Sequence, residues 1–229
     1  MMLTLFMPVI CLTPGRVLRS ASVNVGEVWM AVFLAYFVLV NVGHVLAGYA
    51  ILLLYGALAV VAEIQDPPGL TLLDCLALPF IGILPHIFLI PVFATGSVSL
   101  LAIIFTVISA ITEEIFFRGF LMKRLGLPIQ ALVFMYSHLS VTDPLFLVNS
   151  SLLAPHYFVF GLTAGLIADR KGFEGSSLFH ATYNLAATLY FLALNTTTIS
   201  LLLASDIFSL AAVLVYLRFS QHKILFSRV

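Results

Sequence analysis

The chain places two acids, two imidazoles and a carboxamide in surroundings that ought to exclude them. Residues 111–120 read ITEEIFFRGF, with Glu113, Glu114 and Arg118 set among Ile and Phe. Further on, FMYSH runs from Phe134 to His138, and HATYN from His180 to Asn184. On a helix, Glu114 and Arg118 are one turn apart on one face, within pairing reach and with the acid on the N-terminal side. Glu113 then points about 100° away. An ion pair therefore accounts for two of the three charges and leaves one carboxylate over. The one-turn spacing recurs in Phe134 with His138 and in His180 with Asn184, so each segment aims its pair at one partner.

The chemistry available to such a set is hydrolytic. A carboxylate can take a proton from water, imidazoles can orient that water or steady developing charge, and an amide can donate to an oxyanion. These are parts for hydrolysing a carbonyl without a Ser or Cys nucleophile. Each site alone also fits a plainer use: an ion pair joining helices, a hydrogen-bonded packing histidine, an asparagine bonded across a helix interface. It is the three together, in successive segments, that point to a reaction.

Positioning these groups falls to a membrane-embedded scaffold. Of 229 residues, 62% are hydrophobic and 9% charged, with a mean hydropathy of +1.16. A soluble domain carries roughly 25% charged residues, so no water-facing surface can be built from this inventory. The whole chain, 1–229, reads as a single integral membrane domain. A charge at the bilayer centre costs about 2.5–3.5 kcal/mol on insertion scales, which makes each buried one a functional candidate. The formal net charge is zero, and a nucleic-acid partner is excluded.

Short polar breaks divide the apolar stretches into lengths near the ~20 residues that cross hydrocarbon. The run 28–62 is too long for one pass and splits near Gly43 and His44. Further passes fall at about 72–95, 99–122, 128–142, 145–168, 173–194 and 200–217, giving about eight, or seven if two merge. The 128–142 pass is short and needs shielding by its neighbours. With eight passes, Arg16, Arg19, Lys123, Arg124, Arg170, Lys171, Arg218, Lys223 and Arg228 fall on one side, predicting cytoplasmic N- and C-termini. The first twelve residues lack a leading basic region, so no cleaved signal peptide is expected. Cys11 and Cys75 are expected as buried small hydrophobes. His44, His86 and His156 are expected in structural roles, Asp206 paired to an interior donor, and Asp169, Arg170 and Lys171 in a solvated turn.

At the chemistry-bearing residues the chain resembles a known family. EEIFFR fits EExxxR, FMYSH fits FxxxH and HATYN fits HxxxN, in the order found in the CAAX protease and bacteriocin-processing family, also called the ABI family. That family includes the type II CAAX prenyl endopeptidases. The resemblance covers about residues 100–190. It implies an all-α bundle of about eight transmembrane helices around a cytosol-facing active-site cavity, and an intramembrane endopeptidase. Glu113 would activate water, His138 would orient it, and His180 and Asn184 would stabilise the oxyanion. Glu114, Arg118 and Phe134 would support them. The implied substrate is a peptide or lipidated protein entering from membrane or cytosol, with loss of a C-terminal tripeptide from a prenylated CAAX end as one form.

Other readings stay open at this stage. Metal-free water activation with no cofactor is the expectation, but Glu113, His138 and His180 could instead supply three ligands to zinc, with water in the fourth place. Ser137 beside His138, or Ser177 near His180, would serve a serine protease, although no GxSx motif accompanies them. A peptide-binding or immunity protein on the same scaffold, or a transporter using Glu113 as a proton relay, are the non-proteolytic alternatives. The sequence leaves the oligomeric state undetermined.

Overall fold

The computed structural model describes residues 28–63, 69–95 and 98–226. Two apolar helices open the described chain, α1 (Trp29–Asn41) and α2 (Val45–Glu63). Between them Gly43 takes a φ of 89°. This left-handed conformation is open to glycine at little cost and breaks the long run where the sequence predicts. α3 (Leu72–Ile87) begins with a reciprocal cap: Thr71 Oγ1 accepts from the Asp74 amide, and Asp74 Oδ2 accepts from the Thr71 amide. Pro79 and Pro85 lie inside it, and it ends soon after the second.

α4 runs from Leu100 to Leu125, capped at its start by the Ser99 side chain. It is α-helical to Glu114, π-helical over Ile115–Leu121, then α-helical again. π-Bulges of this kind concentrate at functional sites, and this one follows the paired glutamates directly. α5 (Leu127–Ser137) is short, as expected, and packs on α7. α6 (Pro144–Leu152) and α7 (Ala154–Ala187) meet at a bend of 49°. The single pass expected at 145–168 is therefore broken near Leu153. α7 itself is interrupted at Gly172, where φ is 73°, so its arms are 154–171 and 173–187. α8 (Thr196–Phe226) completes the bundle. A small antiparallel clip pairs Phe93–Thr95 with Tyr190–Leu192 in the connections after α3 and α7.

The architecture is an all-α bundle whose outer faces are apolar. Leu46, Leu72, Leu100 and Leu101 are among the most exposed side chains, a surface suited to acyl chains rather than water. Cys75 also faces outward, against the expectation of burial, because α3 turns that side away from the bundle; Cys11 lies outside the described residues. By length and composition α4 and α8 can each cross a membrane, and the bent α6–α7 pair qualifies as a third. The remaining helices are shorter apolar segments, cut by Gly43, by the prolines of α3 and by Gly126 at φ 77°. The protein is a multi-pass membrane protein with some segments shorter than a full span.

A buried ion pair joins three helices at the break in α7. Lys171 Nζ lies 2.8 Å from Asp74 Oδ1, which also accepts from the Tyr216 hydroxyl. This clamp ties the start of α3 to the break in α7 and the late turns of α8. Asp169 and Arg170 are exposed and pair with each other, but Lys171 is buried, so the expected solvated turn holds for two of its three residues. Lysine's long apolar stem allows it to reach an interior carboxylate.

Close approach of helices sets the site's frame. A Cβ built on Gly82 of α3 would meet the Phe179 carbonyl oxygen at 2.5 Å and Thr182 Oγ1 at 2.6 Å on α7. Gly82 therefore lets α3 lie against the arm that carries His180. Overpacking typically costs about 1–3 kcal/mol. Gly82→Val is expected to lose stability at or above that range, read as a lowered Tm in detergent micelles.

Candidate active site

Three helices deliver the polar set: α4 brings Glu113, Glu114 and Arg118; α5 brings Phe134, with His138 at its end; α7 brings His180 and Asn184. Glu113, Glu114 and Arg118 are buried, to 3%, 0% and 1% exposure. None faces lipid. The centre of the arrangement is Glu114 Oε1, which lies 2.8 Å from Arg118 Nη1 and 2.7 Å from His180 Nδ1. The pairing of Glu114 with Arg118 is the one read from spacing. The bond to His180, 66 residues away, is an addition from the fold.

That bond decides which nitrogen of His180 carries a proton. A carboxylate can only accept, so Nδ1 donates and Nε2 is left to the other side of the ring. Nε2 lies 3.0 Å from Asn184 Nδ2 and 3.8 Å from Glu113 Oε2. The first distance is a hydrogen bond, with the amide donating. The second is too long for one and leaves Glu113 Oε2 buried without a direct partner. The other oxygen of Glu113, Oε1, accepts from the Tyr49 hydroxyl of α2 at 2.5 Å.

Phe134 has more to do than fill space. Its ring lies under the Arg118 guanidinium at 4.2 Å, a cation–π contact in the interior, where such contacts are strongest. The same ring is 4.6 Å from His138 and 5.9 Å from His180. Its carbonyl oxygen accepts from His138 Nδ1 at 2.9 Å. Both parts of the FxxxH pair are thereby explained: the first residue's backbone fixes the imidazole, and its ring covers the arginine. Tyr157 stacks on His138 at 4.1 Å between centroids. Arg118 Nη2 and Gln130 Nε2 both donate to the Gly161 carbonyl, at 3.4 and 2.9 Å, which joins α4 and α5 to α7.

Glu113, His180 and Asn184 are brought into one group, with Glu114, Arg118 and Phe134 behind them. His138 sits beside this group, within electrostatic reach of Glu113, and its own direct bonds go to Phe134 O and Ser137 Oγ. Ser137 spends its hydroxyl proton on the Phe134 carbonyl at 2.6 Å, and Ser177 spends its own on Phe173 O at 2.7 Å. Neither serine is placed as a nucleophile on a histidine base. Among the described residues no three of His, Cys, Asp and Glu form a group able to hold a metal ion.

Residues 95–186 match the family model described as type II CAAX prenyl endopeptidase Rce1-like. Over these residues the chain is similar to the type II CAAX prenyl endopeptidases. No curated protein and no solved structure matches it. The matched segment takes in α4, α5, α6 and most of α7, hence every residue of the three motifs. It leaves out α1, α2, α3 and α8.

Sequence reasoning missed Tyr49, Gln130 and Tyr157. An aromatic or an amide in an apolar helix carries no local signal, since packing residues look the same. Of the secondary histidines, His86 Nδ1 meets the Tyr190 hydroxyl at 2.5 Å, and His156 Nδ1 meets Asp206 Oδ2 at 2.8 Å. Asp206 thus has the interior donor predicted for it.

Breaking a buried pair by removing one member typically costs about 3–5 kcal/mol, because the survivor is left charged and unpaired. Arg118→Met should lose stability on that scale in detergent unfolding. The double variant Arg118→Met, Glu114→Gln should recover part of the loss, since neither charge remains.

Proposed function

We propose that the chain is an intramembrane endopeptidase that hydrolyses a peptide bond with water activated by Glu113. The observation that carries this reading is the geometry of Glu113: a buried carboxylate with one oxygen tied to Tyr49 and the other free, 3.8 Å from His180 Nε2. A water held there can give its proton to Glu113 Oε2 while its oxygen attacks the substrate carbonyl carbon. The C–N bond then breaks, and Glu113 returns the proton to the leaving amine. His138, anchored through Nδ1, keeps Nε2 for orienting the water. Asn184 has two amide protons; one goes to His180, and the second is left for the oxyanion of the tetrahedral intermediate. His180 orients Asn184 and is itself oriented by Glu114. No step calls for a metal.

The family points to a substrate with a prenylated C-terminal CAAX sequence, from which the last three residues would be removed. Apolar outer faces would let a lipid-linked peptide approach within the bilayer. The excess of Lys and Arg that the pass count puts on one side, Lys123, Arg124, Arg170 and Arg218 among them, would make that side, and the described end of α8, cytoplasmic.

The test is cleavage of farnesylated CAAX peptide by purified protein, with the unprenylated peptide alongside. Glu113→Gln should abolish turnover while leaving peptide binding within about twofold, and Asn184→Ala should lower kcat about 10²–10³-fold, the usual cost of one oxyanion donor. Exhaustive chelation should leave the rate unchanged. Retained cleavage by Glu113→Gln would overturn the reading, and peptide binding without any turnover in the unmodified protein would favour a binding protein instead.

A further inference from the structure

α2 lies outside the segment matched to the family, yet among the described residues it supplies the one direct hydrogen bond that Glu113 receives. Glu113 Oε1 accepts from the Tyr49 hydroxyl at 2.5 Å, short even for an O–H donor to a carboxylate. Tyr49 has a single proton, and it is committed to Glu113. Its oxygen is left to accept, and Tyr36 on α1 packs against its ring. Tyr36 is buried to 2% exposure, and the two rings meet edge to face at 5.4 Å and 83°. Phe105 of α4 meets the other side of Tyr49 in the same manner, at 5.5 Å and 83°. The tyrosine ring is thus fixed between α1 and α4, and its hydroxyl has one direction available.

We infer that Tyr49 is a positioning residue for the general base: it immobilises one oxygen of Glu113 so that the other alone faces His180 and the attacking water, with Tyr36 as its support. The inference rests on the reading of Glu113 as the base. A free carboxylate rotates about its last bond and presents either oxygen. With Oε1 held, Oε2 is the only basic oxygen toward the site, and its 3.8 Å spacing from His180 Nε2 is kept. The α1–α2 hairpin therefore belongs to the active site as well as to the scaffold.

Tyr49→Phe removes the hydroxyl and keeps both ring contacts, so the fold should survive. Two measurements follow. In the first, infrared difference spectra of wild type and Tyr49→Phe are compared, with the Glu113 carboxylate band identified by its loss in Glu113→Gln. The band should shift in Tyr49→Phe. The second is steady-state cleavage of the farnesylated CAAX peptide, in which Tyr49→Phe should lower kcat about 10- to 100-fold with KM within about twofold. Tyr36→Phe should lower kcat less, and Tyr49→Phe should have no further effect in the Glu113→Gln background. An unmoved band, or a Tyr49→Phe enzyme with full kcat, overturns the inference. A change in KM with kcat held also overturns it, since that would make Tyr49 a substrate contact. A shifted band in a protein that cleaves no peptide upholds the role of Tyr49 on Glu113 and overturns the protease reading, which separates the two.

Discussion

A single carboxylate oxygen, Glu114 Oε1, holds the site together. It receives Arg118 from its own helix and His180 from α7, and all three groups are shut away from solvent. Charges so placed persist only when they satisfy one another, since the cost of leaving one unpaired runs to several kcal/mol. The satisfaction has consequences. Because Glu114 accepts a hydrogen bond from Nδ1–H, the His180 ring is turned with Nε2 toward Asn184 and Glu113. Because Arg118 neutralises Glu114, Glu113 can be a second acid on the adjacent residue without facing an uncompensated neighbour. The order of the motif, acid then acid then base one turn on, follows from that division.

The fold explains why neighbouring residues end up with different tasks. Successive positions on a helix diverge by about 100°, so Glu113 looks toward α2 while Glu114 looks toward the α7 arm. The π-helical turn over Ile115–Leu121 begins right after them and resets the helix face that follows. Phe134 seals Arg118 from one side, and Gly161 offers its carbonyl to both Arg118 and Gln130. α7 is brought close by glycine at Gly82 on α3 and at its own Gly161 and Gly165. Small residues at helix crossings serve this purpose in membrane proteins, where packing rather than water exclusion drives association.

Much of this was legible in the sequence, and the remainder has identifiable causes. The one-turn spacings paired Glu114 with Arg118 and put His180 and Asn184 on one face; the ion pair is present, and the two α7 side chains also bond to each other. Composition identified the membrane, and Gly43 marked the first helix break. What spacing cannot reveal is a partner on another helix. The Glu114–His180 and Tyr49–Glu113 bonds span 66 and 64 residues, and a tyrosine in LAGYAILLLY reads as packing. Lys171 was misjudged because its neighbours Asp169 and Arg170 are exposed, while its own acceptor, Asp74, lies on α3. Cys75 was misjudged because an apolar neighbourhood in a membrane chain means lipid as readily as core. The break at Leu153 within an apolar run had only Pro155 to announce it.

The central claim, that Glu114 fixes the orientation and the proton of His180, has a direct test. ¹⁵N NMR of histidine-labelled protein in micelles, with the His180 signals identified by their loss in His180→Gln, reads which ring nitrogen is protonated. The account predicts a proton on Nδ1, with its resonance displaced in Glu114→Gln. A neutral ring protonated on Nε2 with Nδ1 bare, or an Nδ1 signal indifferent to Glu114→Gln, would contradict it.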